Sequence, residues 1–75
     1  MMQRLLEIIN FMLANQGKEL IPYLKEEMDL RKDIGFDSLD LAEFTVRIQR
    51  ECGVDIFADG LATTIKEVLL KINTV

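Results

Sequence analysis

The sequence predicts an all-α protein, a small bundle of three to four helices with a long packed loop between the first two. Three stretches repeat apolar residues at the three-to-four-residue spacing of an amphipathic helix. No stretch alternates apolar and polar residues convincingly, as a half-buried strand would. With 75 residues, 49% of them hydrophobic, the chain is expected to form one domain, 1–75, with a modest core.

The first helix is predicted from Met2 to about Asn15 because its apolar residues share one face. Gly17 follows at a position typical of a left-handed helix end. The predicted buried face consists of Leu5, Ile8, Ile9, Met12 and Leu13.

The stretch 18–36 is predicted to be a loop, since Pro22 would break any long helix through it. A structureless loop of this length is unusual in a compact domain, so we expect it to be packed down. Its expected anchors are Leu20, Ile21, Tyr23, Leu24, Met28, Leu30 and Ile34.

The second helix is predicted to start at Asp37 or Ser38 and to run to about Glu51. Asp37 suits the N-cap, and Asp40 lies in the first turn, where the helix dipole favours negative charge. Gly53 is expected to end the helix. The predicted buried stripe is Leu41, Phe44 or Thr45, Ile48 and Cys52, with Cys52 interpreted as a small buried hydrophobe.

The last helix is predicted to begin after Thr64, because Thr64 and Glu67 have the spacing of a capping box. Before it, the chain is expected to be extended over "VDIF", to turn at Asp59 and Gly60, and to form at most one helical turn near Leu61. Phe44 and Phe57 are expected in the core. The predicted buried face of the last helix is Ile65, Val68, Leu69 and Ile72.

Composition excludes several functions. The net charge of −4 disfavours nucleic acid and anionic membranes as partners, since both are bound by clustered Lys and Arg. One cysteine and no histidine leave no internal disulfide, no expected metal site and no histidine-activated serine. No apolar run is long enough to span a bilayer. We expect a cytoplasmic monomer that is not an enzyme.

The stretch "GFDSLD", residues 35–40, is the most informative motif. One interpretation is an ordinary capped helix start. The other is that Ser38, beside unpaired backbone N–H groups, is the place where a phosphodiester would be attached.

With its surroundings, this motif resembles the acyl carrier protein family. The family motif Asp-Ser-Leu, preceded by Gly and an apolar residue, matches residues 35–39 here. The similarity continues through "LAEFTVRIQRECGVDIF" and "TTIKEVLLKI", so it covers about Leu30 to Ile72, while the first helix fits by pattern only.

The resemblance implies a bundle of the acyl-carrier type whose Ser38, flanked by Asp37 and Leu39, accepts a 4′-phosphopantetheine arm. A separate, magnesium-dependent phosphopantetheinyl transferase would supply the arm from coenzyme A. Its thiol would carry acyl groups as thioesters to the enzymes of a fatty acid, polyketide or other specialised pathway. The implied partners are this transferase, an acyl-loading ligase or synthase, and acyl-transfer enzymes.

A second apolar strip on the predicted second helix, formed by Leu39, Ala42 and Val46, is a candidate docking surface. Asp40 and Glu43 would give it an acidic rim, which favours fast encounters with basic enzyme surfaces. The alternative is that Leu39 and Ala42 pack against the preceding loop.

Departures from the family pattern indicate a specialised member. Arg47, Gln49 and Arg50 stand where well-known carriers are acidic, Cys52 replaces a bulky aromatic residue, and "FADGLA" is short for a third helix. Two other functions stay open: an aminoacyl or peptidyl carrier, and a helical adaptor without a covalent arm.

Overall fold

Three helices make up the regular structure in a computed structural model that describes residues 1–57, 60 and 62–73. They are α1 (Met2–Asn15), α2 (Ser38–Cys52) and α3 (Ile65–Asn73). The only pairing of strand type in the described ranges is an isolated bridge between Asp29 and Thr64. The predicted all-α fold is confirmed: α1 and α2 lie within one or two residues of their predicted bounds, and α3 begins directly after Thr64, as predicted.

A single apolar core joins the three helices to the connecting segments. Phe44 of α2 is fully buried, and its ring lies 5.7 Å from that of Phe36, centre to centre. All five predicted core residues of α1 are buried. The other fully buried side chains include Leu30 from the long loop, Ile48 from α2, Ile56 from the α2–α3 connection, and Ile65 and Val68 from α3.

The end of α1 has the two hydrogen bonds of a Schellman motif. The N–H of Lys18 donates to the carbonyl of Leu13 at 2.9 Å, and that of Gly17 donates to Ala14 at 3.1 Å. Gly17 has a φ of 71°, which a residue without a Cβ adopts at little cost. The predicted left-handed end is therefore confirmed, and the chain leaves α1 along a fixed path.

The side chain of Asn10 holds the start of the long loop. Its amide donates to the carbonyl of Ile21 at 2.9 Å, and its oxygen accepts the N–H of Ile21 at 2.7 Å. These two bonds satisfy both backbone groups of a half-buried residue, as a strand partner would. The sequence pattern gave no sign of this role, because residue spacing within a helix does not show which distant segment a polar side chain binds.

Most of the predicted loop anchors pack as expected, but two do not. Leu30 and Ile34 are buried, and Ile21, Leu24 and Met28 pack half-buried against the core. Leu20 is 59% exposed and Tyr23 is 54% exposed, so both predictions were wrong. Neighbouring side chains of an extended segment point to opposite sides, so Leu20 faces away when Ile21 faces inward. Tyr23 instead lies beneath the ammonium group of Lys25.

The same loop also fixes the start of α3. The N–H of Ile65 donates to Met28 at 3.0 Å, and the N–H of Lys66 donates to Glu26 at 2.9 Å. The first N–H groups of a helix lack partners within the helix, so these loop carbonyls satisfy two of them.

The predicted cap of α3 is partly confirmed. The hydroxyl of Thr64 accepts the N–H of Glu67 at 3.2 Å, as expected. The carboxylate of Glu67, however, reaches one residue further back, to the N–H and the hydroxyl of Thr63. At Thr63 the carboxylate accepts two hydrogen bonds, whereas the N–H of Thr64, the usual partner in a capping box, would donate only one. Ile65 and Val68 are buried as predicted, while Leu69 and Ile72 are half-buried.

The segment after α2 turns earlier than predicted. Gly53 ends the helix with a φ of 72°, as expected. Val54 and Ile56 are buried, but the carboxylate of Asp55 accepts the N–H of Phe57 at 3.0 Å and bends the chain. The turn predicted at Asp59 and the helical turn predicted near Leu61 lie outside the described residues.

Within the described ranges, no helix combines the length and the apolar character needed to cross a membrane.

Replacing Asn10 tests the anchoring of the loop. Asn10→Ala should lower the free energy of unfolding by about 1–3 kcal/mol, because it leaves half-buried backbone groups of Ile21 unpaired. Urea denaturation measures this. Asn10→Asp should recover part of the loss, since a carboxylate accepts the N–H of Ile21 but cannot donate to its carbonyl. Asn15→Ala, at an exposed position of the same helix, should change stability by less than about 0.5 kcal/mol; a loss as large as that of Asn10→Ala would contradict the assignment.

Candidate functional site

The chain enters α2 through a sharp, anchored turn. Gly35 has a φ of 88°, in the region where residues with a Cβ are strained. Phe36 follows with only 2% of its surface exposed, and its N–H donates to the carbonyl of Leu30 at 3.0 Å. Gly35 therefore sets the turn before α2, and Phe36 anchors the chain to the core.

The first turn of α2 is closed by two aspartates that cap each other. The carboxylate of Asp37 accepts the N–H of Asp40 at 2.8 Å, and the carboxylate of Asp40 accepts the N–H of Asp37 at 3.0 Å. The predicted N-cap is therefore confirmed. The reciprocal bond was missed, although an acid three residues after the cap is the signal of a capping box.

Asp40 also ties the two longest helices together. Its carboxylate accepts the side-chain amide of Gln16, at the end of α1, at 2.6 Å. Asp40 is half-buried as a result of these contacts. Its predicted role in docking stays a prediction, and its contacts show a structural role at the junction of α1 and α2.

Ser38 is the first residue of α2 and is exposed, as is Asp37 before it. The pKa of the Asp37 carboxyl lies below its usual range, mainly because its carboxylate accepts a hydrogen bond from the N–H of Asp40. The side chain of Asp40, the N–H of Leu39 and the charge of Lys18 lower it further. Because Asp37 supplies the cap, the hydroxyl of Ser38 is not required to stabilise the helix.

A cleft of about 580 Å³ lies beside Ser38, between the start of α2, the long loop and the segment before α3. Its apolar lining comes from Leu41, Ala42, Phe57 and Ala62, and its polar lining, besides Ser38, from Asp29, Arg31, Lys32 and Thr63. Phe57, expected in the core, is half-buried: it packs against the core and also lines this cleft.

The predicted apolar strip on α2 is exposed. Leu39 is 81% exposed, Val46 is 49% exposed, and Ala42 is exposed at the edge of the cleft. This exposure rules out the alternative in which Leu39 packs against the preceding loop. Leu39 thus stands one residue after Ser38 with its side chain open to a partner.

The acidic rim of this strip is partly engaged within the molecule. Glu43 accepts a hydrogen bond from Arg47 at 2.8 Å. The guanidinium of Arg47 also lies 4.7 Å from the ring centre of Phe11 on α1. Exposed ion pairs of this kind are weak, so Glu43 can exchange Arg47 for a partner at little cost.

Cys52 ends α2 half-buried and packs against the core. It was predicted to be a small buried hydrophobe, and it is buried only in part because it lies in the last turn beside the exposed Gly53.

The fold and the site define a small helical domain with an exposed serine at the start of its second helix, beside a cleft. The family model described as a phosphopantetheine attachment site matches residues 3–71. Two curated acyl carrier proteins, from Rickettsia bellii strains OSU 85-389 and RML369-C, are each 36% identical to the chain over 67 residues. Both alignments cover 89% of this chain, and they cover 80% and 76% of the two relatives. No solved structure matched significantly.

The chain belongs to the acyl carrier protein family and carries a covalently attached 4′-phosphopantetheine. The residues of the site fit this group. An exposed hydroxyl is available for a phosphodiester, and the adjoining cleft offers apolar walls together with two cations. Members of the family are carriers rather than catalysts.

Acid should weaken the cap of α2. The folded-state pKa of Asp37 lies below the value of about 3.9 that it has in an unfolded chain. Its stabilising effect is thus fully present above pH 4 and is lost as the pH falls through the folded-state pKa. We expect Asp37→Asn, which keeps an acceptor, to lower the thermal midpoint at pH 6 more than at pH 3.

Thermal unfolding followed by circular dichroism checks this expectation. Glu27→Gln, which removes an exposed loop carboxylate outside the cap, is the control for the loss of one negative charge. An Asp37→Asn difference that stays constant between pH 6 and pH 3 would contradict the role of the charge.

Proposed function

We propose that Ser38 is the attachment point of the 4′-phosphopantetheine. One observation carries the proposal: Ser38 is the only serine in the sequence, and it is exposed at the start of α2 on the edge of a cleft. Its neighbours support the assignment, because Asp37 and Asp40 hold the helix start while leaving the hydroxyl of Ser38 accessible.

The arm supplies a terminal thiol that carries acyl groups as thioesters. The chain itself supplies the positioning of Ser38. Its sequence contains no histidine, and the Asp37 and Asp40 carboxylates are engaged in the cap. We therefore propose that a separate phosphopantetheinyl transferase activates the hydroxyl of Ser38.

The proposed cargo is an acyl group, in agreement with the names of the two relatives. We place the chain in a specialised pathway because the second half of α2 carries Arg47 and Arg50, which would meet a partner surface differently from an acidic helix. The partners would be an acyl-loading ligase or synthase and the enzymes that receive the acyl group. An aminoacyl or peptidyl cargo is the alternative, and the identity of the loading enzyme distinguishes the two.

The proposed docking surface is the strip formed by Leu39, Ala42 and Val46, with Asp40 and Glu43 beside it. Exposed apolar residues grouped next to a functional residue are typical of interaction sites. The partner would replace water over Leu39 first, because this side chain is the most exposed and the closest in sequence to Ser38.

The proposed setting is a single carrier domain, 1–75, acting as a cytoplasmic monomer. The composition supports it, since a single cysteine suits a reducing compartment.

Removing the hydroxyl of Ser38 tests the attachment directly. After incubation with coenzyme A, magnesium and a broad-specificity transferase, the wild-type chain should gain the mass of one phosphopantetheine, and Ser38→Ala should gain none. Thr63→Ala removes the other hydroxyl of the same cleft and should be modified like the wild type. A mass gain in Ser38→Ala would overturn the proposal.

The same variant separates the carrier function, which needs the arm, from a helical adaptor function that does not use it. Ser38→Ala should keep the thermal midpoint of the unmodified wild type to within a few degrees, since Asp37 provides the cap. An adaptor predicts that this folded variant keeps biological activity, whereas a carrier predicts that the activity is lost.

Truncating Leu39 tests the docking strip. Leu39→Ala should lower the kcat/KM of the transferase by about five- to thirtyfold, a typical effect for an apolar interface anchor, and should leave the thermal midpoint nearly unchanged. Leu70→Ala, at a 52% exposed position on α3, is the matched control and should retain kcat/KM. Equal effects of the two variants would argue against the strip.

A further inference from the structure

Two cations share the cleft with Ser38. Arg31 and Lys32 lie in the long loop, are exposed, and line the same cleft as the proposed attachment residue. Neither forms an ion pair with a carboxylate among the described residues. Nothing in the cap of α2 or in the core requires a positive charge here.

The acid in the same cleft is already engaged. One carboxylate oxygen of Asp29 accepts the N–H groups of Arg31 and Lys32 at 2.8 and 2.9 Å. These two bonds, that of Lys32 first, hold the pKa of the Asp29 carboxyl below its usual value, and the two side-chain charges act in the same direction. Asp29 is thus ionised at neutral pH, and among the residues that line the cleft two positive charges face one negative charge.

The turn made by Asp29 also explains why both cations reach the cleft. Its carboxylate holds the backbone of Arg31 and Lys32, while its own N–H donates to Asp33 at 2.7 Å. Leu30, between Asp29 and Arg31, is fully buried. The backbone that carries the two cations is therefore anchored on both the polar and the apolar side.

We propose that Arg31 and Lys32 form an anion-binding site in this cleft, which takes an oxyanion borne by the arm on Ser38. This inference rests on the proposed attachment at Ser38. Two sources supply such a group: the phosphodiester that joins the arm to Ser38, and a terminal carboxylate on an acyl cargo. An arginine guanidinium matches the paired oxygens of either group, and a lysine ammonium adds a point charge.

If this site binds an oxyanion of the arm, attachment of the arm should raise the stability of the folded chain. A ligand that interacts with the folded chain alone raises its stability. For contacts between exposed charges, the form that bears the bound oxyanion, either the free-thiol holo form or the holo form loaded with a dicarboxylic acyl group, should exceed the apo form in thermal midpoint by about 2–5 °C at low salt. This gain should shrink as added salt screens the charges.

The test compares apo and holo forms of two double variants with the wild type. Arg31→Gln/Lys32→Gln should lose at least half of the gain in thermal midpoint, measured in whichever form of the wild type shows that gain. Lys25→Gln/Arg50→Gln removes the same two charges from residues that do not line this cleft and should keep the gain. The ³¹P chemical shift of the phosphodiester is a second readout: if the phosphodiester is the bound group, this shift should move in the first double variant only.

Holo forms that carry either the free thiol or different acyl groups distinguish the two sources of the oxyanion. A gain already present with the free thiol identifies the phosphodiester. A gain that appears only with a dicarboxylic acyl group, and not with a neutral acyl group of equal length, identifies the cargo carboxylate. A wild type without any gain, or an equal gain in both double variants, would overturn the proposal. Failure of the attachment at Ser38 would show separately, as the absence of a mass gain.

Discussion

The mutual capping of Asp37 and Asp40 is the interaction on which the site depends. It fixes the residue at which α2 begins, so Ser38 becomes the first residue of the helix and Leu39 projects beside it. The buried ring of Phe36 holds the chain immediately before the cap. If the sequence slid by one residue along α2, every side chain would be rotated by about 100° about the helix axis. Ser38 would then move away from the cleft.

The long loop connects the helices through hydrogen bonds and forms one wall of the cleft. A domain of 75 residues has little apolar surface to bury, and backbone hydrogen bonds to the loop supplement its core. Asn10 of α1 holds one end of the loop through Ile21, and the carbonyls of Glu26 and Met28 satisfy the start of α3. The loop therefore positions the cations next to Ser38 while joining two helices that are distant in sequence.

The sequence predicted what local periodicity and capping signals encode. The three helices, the turn at Gly17 and the cap at Asp37 all follow from residue types at short spacing, and the resemblance to acyl carriers identified Ser38. The contacts that join distant segments were not predictable, since Asn10 reads as an outward-facing polar residue and nothing local indicates that it binds the loop. The exposure of Leu20 and Tyr23 was missed for the same reason, because apolar character alone does not state which loop residues face the core.

Amide hydrogen exchange at the start of α2 tests the central claim most directly. The account predicts that the N–H groups of Asp37 and Asp40 exchange more slowly than that of Ser38, which lies in the same exposed turn. It also predicts that Asp40→Ala accelerates exchange at Asp37 while the core amides of Phe44 and Ile48 stay protected. Exchange at Asp37 and Asp40 as fast as at Ser38 in the wild type would contradict the mutual cap.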